Sequence, residues 1–115
     1  MLKTLRITQG DRAYYDLAVT LDGEVVDVSD WPLWFTVKRL PADLDAAAIF
    51  QKSTDNAGIA IGETGVPRIT VAPADTTDAA PGRYYYDVQG RDLSGAPHTL
   101  ERGIFVIDPQ ITLAT

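Results

Sequence analysis

The chain contains no cysteine. That excludes a disulfide, a thiol nucleophile and a thiolate metal site, and it leaves the redox compartment unconstrained. Histidine occurs once, at position 98. A catalytic histidine needs a nucleophile or a carboxylate placed beside it. Ser94 is near in sequence but no motif surrounds it, so His98 reads as a surface hairpin residue. Basic side chains are few, 10 against 16 acidic ones, for a net charge of −6. A chain without a basic cluster lacks what displaces phosphate counterions, which argues against nucleic acid and against anionic membranes. No apolar run approaches the ~20 residues of a membrane span. The opening Met1-Leu2-Lys3-Thr4-Leu5-Arg6 has no apolar h-region. No secretory signal is therefore expected, and folding in a cytoplasm is.

What is present suits one globular domain. The 115 residues are 45% hydrophobic and 23% charged, enough apolar matter for a real core. The organising stretch is Ala80-Pro81-Gly82-Arg83-Tyr84-Tyr85-Tyr86-Asp87-Val88. Pro-Gly breaks what precedes it, and Tyr and Val then suit a pleated, half-buried strand. Alternation puts Tyr84, Tyr86 and Val88 on one face and the more polar Tyr85, Asp87 and Gln89 on the other. The first face should meet the core. Immunoglobulin-type sandwiches place a tyrosine near the start of strand F, its hydroxyl bonding back to the preceding corner. Tyr84 fits that role, and Tyr86 stands where a disulfide-bearing domain has its second cysteine.

The rest of the chain reads as short strands between turns. Strand A covers 5–8, with Leu5 and Ile7 inward. Strand B covers 14–21, with Tyr15, Leu17, Val19 and Leu21 on one face, and ends at Asp22-Gly23, a two-residue hairpin signal. A return strand follows over 24–28. Strand C covers 33–39, with Leu33, Phe35 and Val37 inward and Trp34, Thr36 and Lys38 outward. Residues 41–48 read as one helical turn or an irregular connection. Short strands follow at 49–53 and 59–61, then strand E at 68–71 with Ile69 and Val71 inward. Residues 73–80 carry Pro73 where a helical turn can begin, and cross from E to F. A loop at 90–97 leads to strand G over 98–107, with a kink expected at Gly103. Turn signals every ~8–12 residues and about seven to nine strands predict an all-β, immunoglobulin-like antiparallel sandwich over 1–109, with an extended tail over 110–115.

No residue set suggests chemistry. Asp43 with Asp45, and Asp75 with Asp78, lack the EF-hand pattern and read as caps and turns. Gly62-Glu63-Thr64-Gly65 is no phosphate loop, since neither a Lys-Ser/Thr nor a helix follows. The scattered carboxylates are not paired as in glycosidases. No enzyme activity, metal or cofactor is expected. The outward apolar residues say more. Trp34, Tyr85, Ile104 and Val106 would share one sheet's outer face if C, F and G are neighbours. Either they are scattered surface residues, or the 41–48 connection covers them, or they form a protein-binding patch. Strand G is apolar on both faces, which implies cover on both. The tail, with Ile111 and Leu113 alternating, could pair with a neighbour's exposed sheet edge.

The ordered pattern resembles the small immunoglobulin-like domains of tailed-phage structural proteins, especially the N-terminal domain of baseplate upper proteins. The carrying residues are Gly10-Asp11 opening strand B, the segment from Asp27 to Trp31, Phe-x-Val-Lys from Phe35 to Lys38, Gly-x-Tyr-x-Tyr from Gly82 to Tyr86, and Gly-x-Phe-x-Ile from Gly103 closing at Asp108-Pro109. The resemblance covers nearly the whole chain. It implies a non-enzymatic virion piece, made in the bacterial host and multimeric around a tail or baseplate, whose partners are other virion subunits. Such a domain usually heads a longer protein, whereas this chain ends at Thr115. A free-standing copy would serve as a tail, baseplate or fibre-associated adaptor, or as a head decoration protein. A different class, a carbohydrate-binding sandwich, would use exposed aromatics, here Trp31, Trp34 and Tyr85. The interface residues to test are Trp34, Tyr85, Ile104, Val106, Ile111 and Leu113.

Overall fold

A computed structural model describes residues 3–17, 20–21, 24–25, 28, 30–40, 42, 48–56, 58–61 and 66–111. The expected hairpin turn at Asp22-Gly23, the loop at Gly62-Glu63-Thr64-Gly65, Val19, Asp43, Asp45 and Leu113 lie outside them, as does most of the 41–48 connection.

Two sheets face each other. The larger is built from β1 (Lys3–Thr8), β10 (Pro97–Asp108), β9 (Gly82–Arg91), β5 (Leu33–Lys38) and β6 (Phe50–Ser53), in that order. The smaller has β8 (Pro67–Val71) between β2 (Ala13–Asp16) and β7 (Ile59–Ile61). A separate hairpin pairs β3 (Thr20–Leu21) with β4 (Glu24–Val25). The fold is the expected all-β sandwich, with the strands read as B and E in one sheet and those read as C, F and G in the other. Among the described residues all pairings are antiparallel except one: β1 runs parallel to β10, from Lys3 opposite Gly103 to Thr8 opposite Asp108.

Alternation explains the core. Leu5, Ile7, Leu17, Leu33, Phe35, Val37, Ile69, Val71, Tyr84, Tyr86, Val88, Phe105 and Ile107 are all buried. In place of a disulfide the centre holds aromatic rings. Phe35 lies 5.4 Å from Tyr86, 6.0 Å from Phe50 and 6.2 Å from Phe105, centroid to centroid. These are favourable tilted and edge-on contacts. The Tyr84 hydroxyl donates to the Ala80 carbonyl, closing the corner ahead of β9.

The crossover into β9 contains α1 (Pro73–Thr77), with Pro73 in its first turn. Asp75 accepts the Ala72 N–H at 2.7 Å and pairs with Lys52 Nζ at 2.7 Å, so it caps the turn and ties it to β6. Buried Thr76 accepts the Gly10 N–H at 2.9 Å. Gln9 donates to the Thr77 and Ala79 carbonyls. The turn after β1 and the crossover are thus one unit.

Two details of β10 differ from expectation. Its irregularity falls between Thr99 and Glu101, not at Gly103. Gly103 answers another demand: a Cβ there would sit 2.0 Å from the Lys3 carbonyl oxygen and 2.9 Å from the Tyr86 ring. The strand lacks a side chain there because β1 and Tyr86 occupy the space.

Candidate functional site

Register decides what the outer face of the five-stranded sheet presents. Directly paired residues point the same way. One cross-strand row is Thr4, Ile104, Tyr85 and Lys38. On the C-terminal side of β10 lies Arg6, Val106 and Arg83. In the other direction come Arg102, Asp87, Thr36 and Gln51, then Thr99, Gln89, Trp34 and Ser53. Trp34 and the Tyr85 partner Lys38 are four residues apart along β5, or ~13 Å at strand rise.

All four predicted strand residues therefore lie on this face, but they do not form one patch. Tyr85, Ile104 and Val106 make an apolar corner near the end of β10 that leads into the tail. Tyr85 is 40% exposed, and Ile104 and Val106 are half-buried. Trp34, also half-buried, stands apart beyond the polar row. In the tail, Ile111 is 93% exposed.

Between Tyr85 and Trp34 the sheet surface forms a groove of about 720 Å³. Thr36, Gln51, Asp87 and Gln89 line it, with Lys38, Arg91 and Arg102 around them. Gln51 donates to the Thr36 hydroxyl at 2.9 Å, which helps bury that threonine on an outward face. Gln89 donates to Asp87 at 3.3 Å. Periodicity alone did not single out this groove; it needs the pairing of β5 with β6 and β9.

No protein-family model matches the chain, and no curated protein matches its sequence significantly.

Trp31 corrects the expected aromatic platform. It packs against the core side and stacks on His98, 5.5 Å between centroids and 28° between planes. Gly90 leaves room for it, since a Cβ there would come within 3.3 Å of the indole and 2.8 Å of Leu33. Trp31 and Trp34 thus serve opposite sides of the sheet.

His98 is tied to the loop before β10. Its Nε2 lies 2.9 Å from Asp92 Oδ2. Asp92 also accepts from the Ser94 hydroxyl at 2.6 Å and from the Ser94 and Ala96 N–H groups at 2.9 Å. These bonds, led by the Ser94 hydroxyl and His98, hold its carboxyl well below the ordinary range. This is a loop-organising carboxylate of the Asx-turn kind. Inside the sheet, the Tyr86 hydroxyl donates to Glu101 at 2.8 Å, and Glu101 faces Lys3 at 3.6 Å. Burial, then the Glu101 carboxylate, pushes the Tyr86 phenol far above its usual value. Among the described residues no three His, Asp or Glu side chains converge as a metal site requires.

Proposed function

We propose that the protein is a non-enzymatic structural component of a bacteriophage or prophage-derived particle. It acts as a tail-, baseplate- or fibre-associated adaptor through contacts with other virion subunits, in several copies. The sequence resemblance supplies the class. The observation that supports the mode of action is the apolar corner of Tyr85, Ile104 and Val106. The second sheet covers only the inner face of β10, where Phe105 and Ile107 are buried. Ile104 and Val106 nevertheless repeat aliphatic character on the other face, where a wet strand carries polar residues. Ile111, 93% exposed, follows shortly after the same end of β10. Together they form a binding edge suited to a neighbouring subunit.

The experiment is incorporation into particles. One variant deletes residues 110–115, and another combines Ile104→Asp with Val106→Asp. Each is expected to stay folded and to fail to join the particle. Unfolding of the double variant would assign those side chains to the core. Normal incorporation of both would place the interface elsewhere.

A further inference from the structure

We propose that the groove between Tyr85 and Trp34 binds a carboxylated oligosaccharide, with Trp34 as its stacking surface and Arg91 and Arg102 as partners of its carboxylates. The inference is independent of the virion role and shares only Tyr85 with the apolar corner.

Size and shape come first. About 720 Å³ is within the ~300–1,000 Å³ of small-ligand sites. The groove is elongated, because Trp34 and Tyr85, both lining it, lie ~13 Å apart along the strands. Its chemistry is ordered in a way that tells ligand classes apart. A protein partner's footprint has an apolar centre and a polar rim. Here the middle is polar: Thr36, Gln51 and Asp87 form the row between Tyr85 and Trp34, Gln89 pairs with Trp34, and Arg91 with Pro97 lies one row further. That arrangement suits a chain of hydroxylated rings. Amides donate to and accept from neighbouring hydroxyls, and a carboxylate accepts from them. An indole offers its electron-rich face to the polarised C–H groups on one side of a pyranose.

Charge selects the acidic kind. The chain carries −6 overall, yet Arg91, Arg102 and Lys38 stand with Asp87 as the charged residues of the groove's described lining. Arg91 and Arg102 make no ion pair among the described residues. A guanidinium fork matches a carboxylate with two parallel hydrogen bonds. Two such forks at one groove, on an otherwise acidic protein, fit uronic- or sialic-acid units better than neutral sugars.

The test is titration of the whole protein with short oligomers of galacturonate, guluronate, hyaluronan and sialic acid. The methyl-esterified galacturonate oligomer and an oligoglutamate of matched charge serve as comparators. Backbone and indole NMR shifts report the site. At least one acidic saccharide is expected to bind and to move the Trp34 indole signal. Its esterified form should bind at least about tenfold more weakly. Trp34→Ala and Arg102→Gln should each weaken binding by a similar factor, both lying outside the core. The Ile104→Asp/Val106→Asp variant should still bind the saccharide, and Trp34→Ala should still join particles, which separates this site from the assembly edge. Silence towards every acidic saccharide overturns the proposal. So does oligoglutamate binding equally well, which would make the groove a site for acidic polypeptide. Binding unchanged by Trp34→Ala and Arg102→Gln would place the ligand elsewhere.

Discussion

Tyr84 shows how much one residue reveals before any coordinates exist. Its place two residues after Gly82 predicts a corner hydroxyl, and that hydroxyl donates to the Ala80 carbonyl while the ring is buried. Tyr84→Phe keeps the ring and leaves the carbonyl without this donor, so a loss of about 1 kcal/mol is expected in chemical denaturation. Gly103 is the opposite case. Its neighbours in sequence suggest a kink, but its role depends on Lys3, one hundred residues away. A methyl group there meets backbone at 2.0 Å, not a movable side chain. Gly103→Ala should therefore push β1 away from β10 and disturb the Tyr86–Glu101 bond. Faster amide exchange across residues 3–8 would show it, and unchanged protection there would refute the steric argument. Local chemistry was legible at Tyr84 because its partner is four residues away. At Gly103 it was not, because the crowding atom arrives through the fold.

At the scale of elements, alternation placed the inward residues of β1, β5, β8 and β9 correctly because each strand is regular. At the start of β10 simple alternation does not hold. The irregularity between Thr99 and Glu101 shifts the phase, so Thr99 pairs with Gln89 and His98 with Gly90. His98 thereby reaches Trp31 and Asp92. The loop before β10 hangs on Asp92, which gives a pH prediction. Its folded-state carboxyl is lowered from the ordinary 3.8, first by the Ser94 hydroxyl and then by His98. A lowered carboxyl contributes stability that is complete above its unfolded value and is lost as pH falls below it. Asp16 beside Arg68 and Asp108 beside Arg6 act in the same direction, but on exposed, salt-screened surface. Asp92→Asn should therefore flatten the acid limb of the stability–pH curve, chiefly below pH 3.8, and should do so in high salt as well. An acid limb identical to that of the parent protein would show that the loop carboxylate carries none of it.

At the scale of the whole molecule, charge is unevenly divided. Among the described residues, the outer face of the large sheet bears Arg6, Lys38, Arg83, Arg91 and Arg102 against Asp87 and Asp108, five positive and two negative, or +3. The chain as a whole is −6; Asp22, Asp27, Asp43, Asp45 and Glu63 lie outside the described residues, and the other described residues sum to −4. Composition showed only an acidic protein; the segregation emerges once five strands are paired in register. Two copies meeting face to face through this sheet would bring like charge against like charge, at a cost that grows in low salt. A head-to-tail contact sets the cationic face against acidic surface on the next copy, and such contacts close into rings or run on as helices. Copies in the particle are therefore expected to join heterologously. The absence of cysteine makes this simple to measure, since between two copies of this chain a single introduced thiol can pair only with its own counterpart. Arg83→Cys, Tyr85→Cys, Ile104→Cys and Val106→Cys, each made alone and oxidised in the assembled state, should give no disulfide-linked dimers. Raising ionic strength should slow incorporation of the unmodified protein. Efficient self-crosslinking at any of these positions would establish a two-fold contact across the sheet and overturn the head-to-tail arrangement.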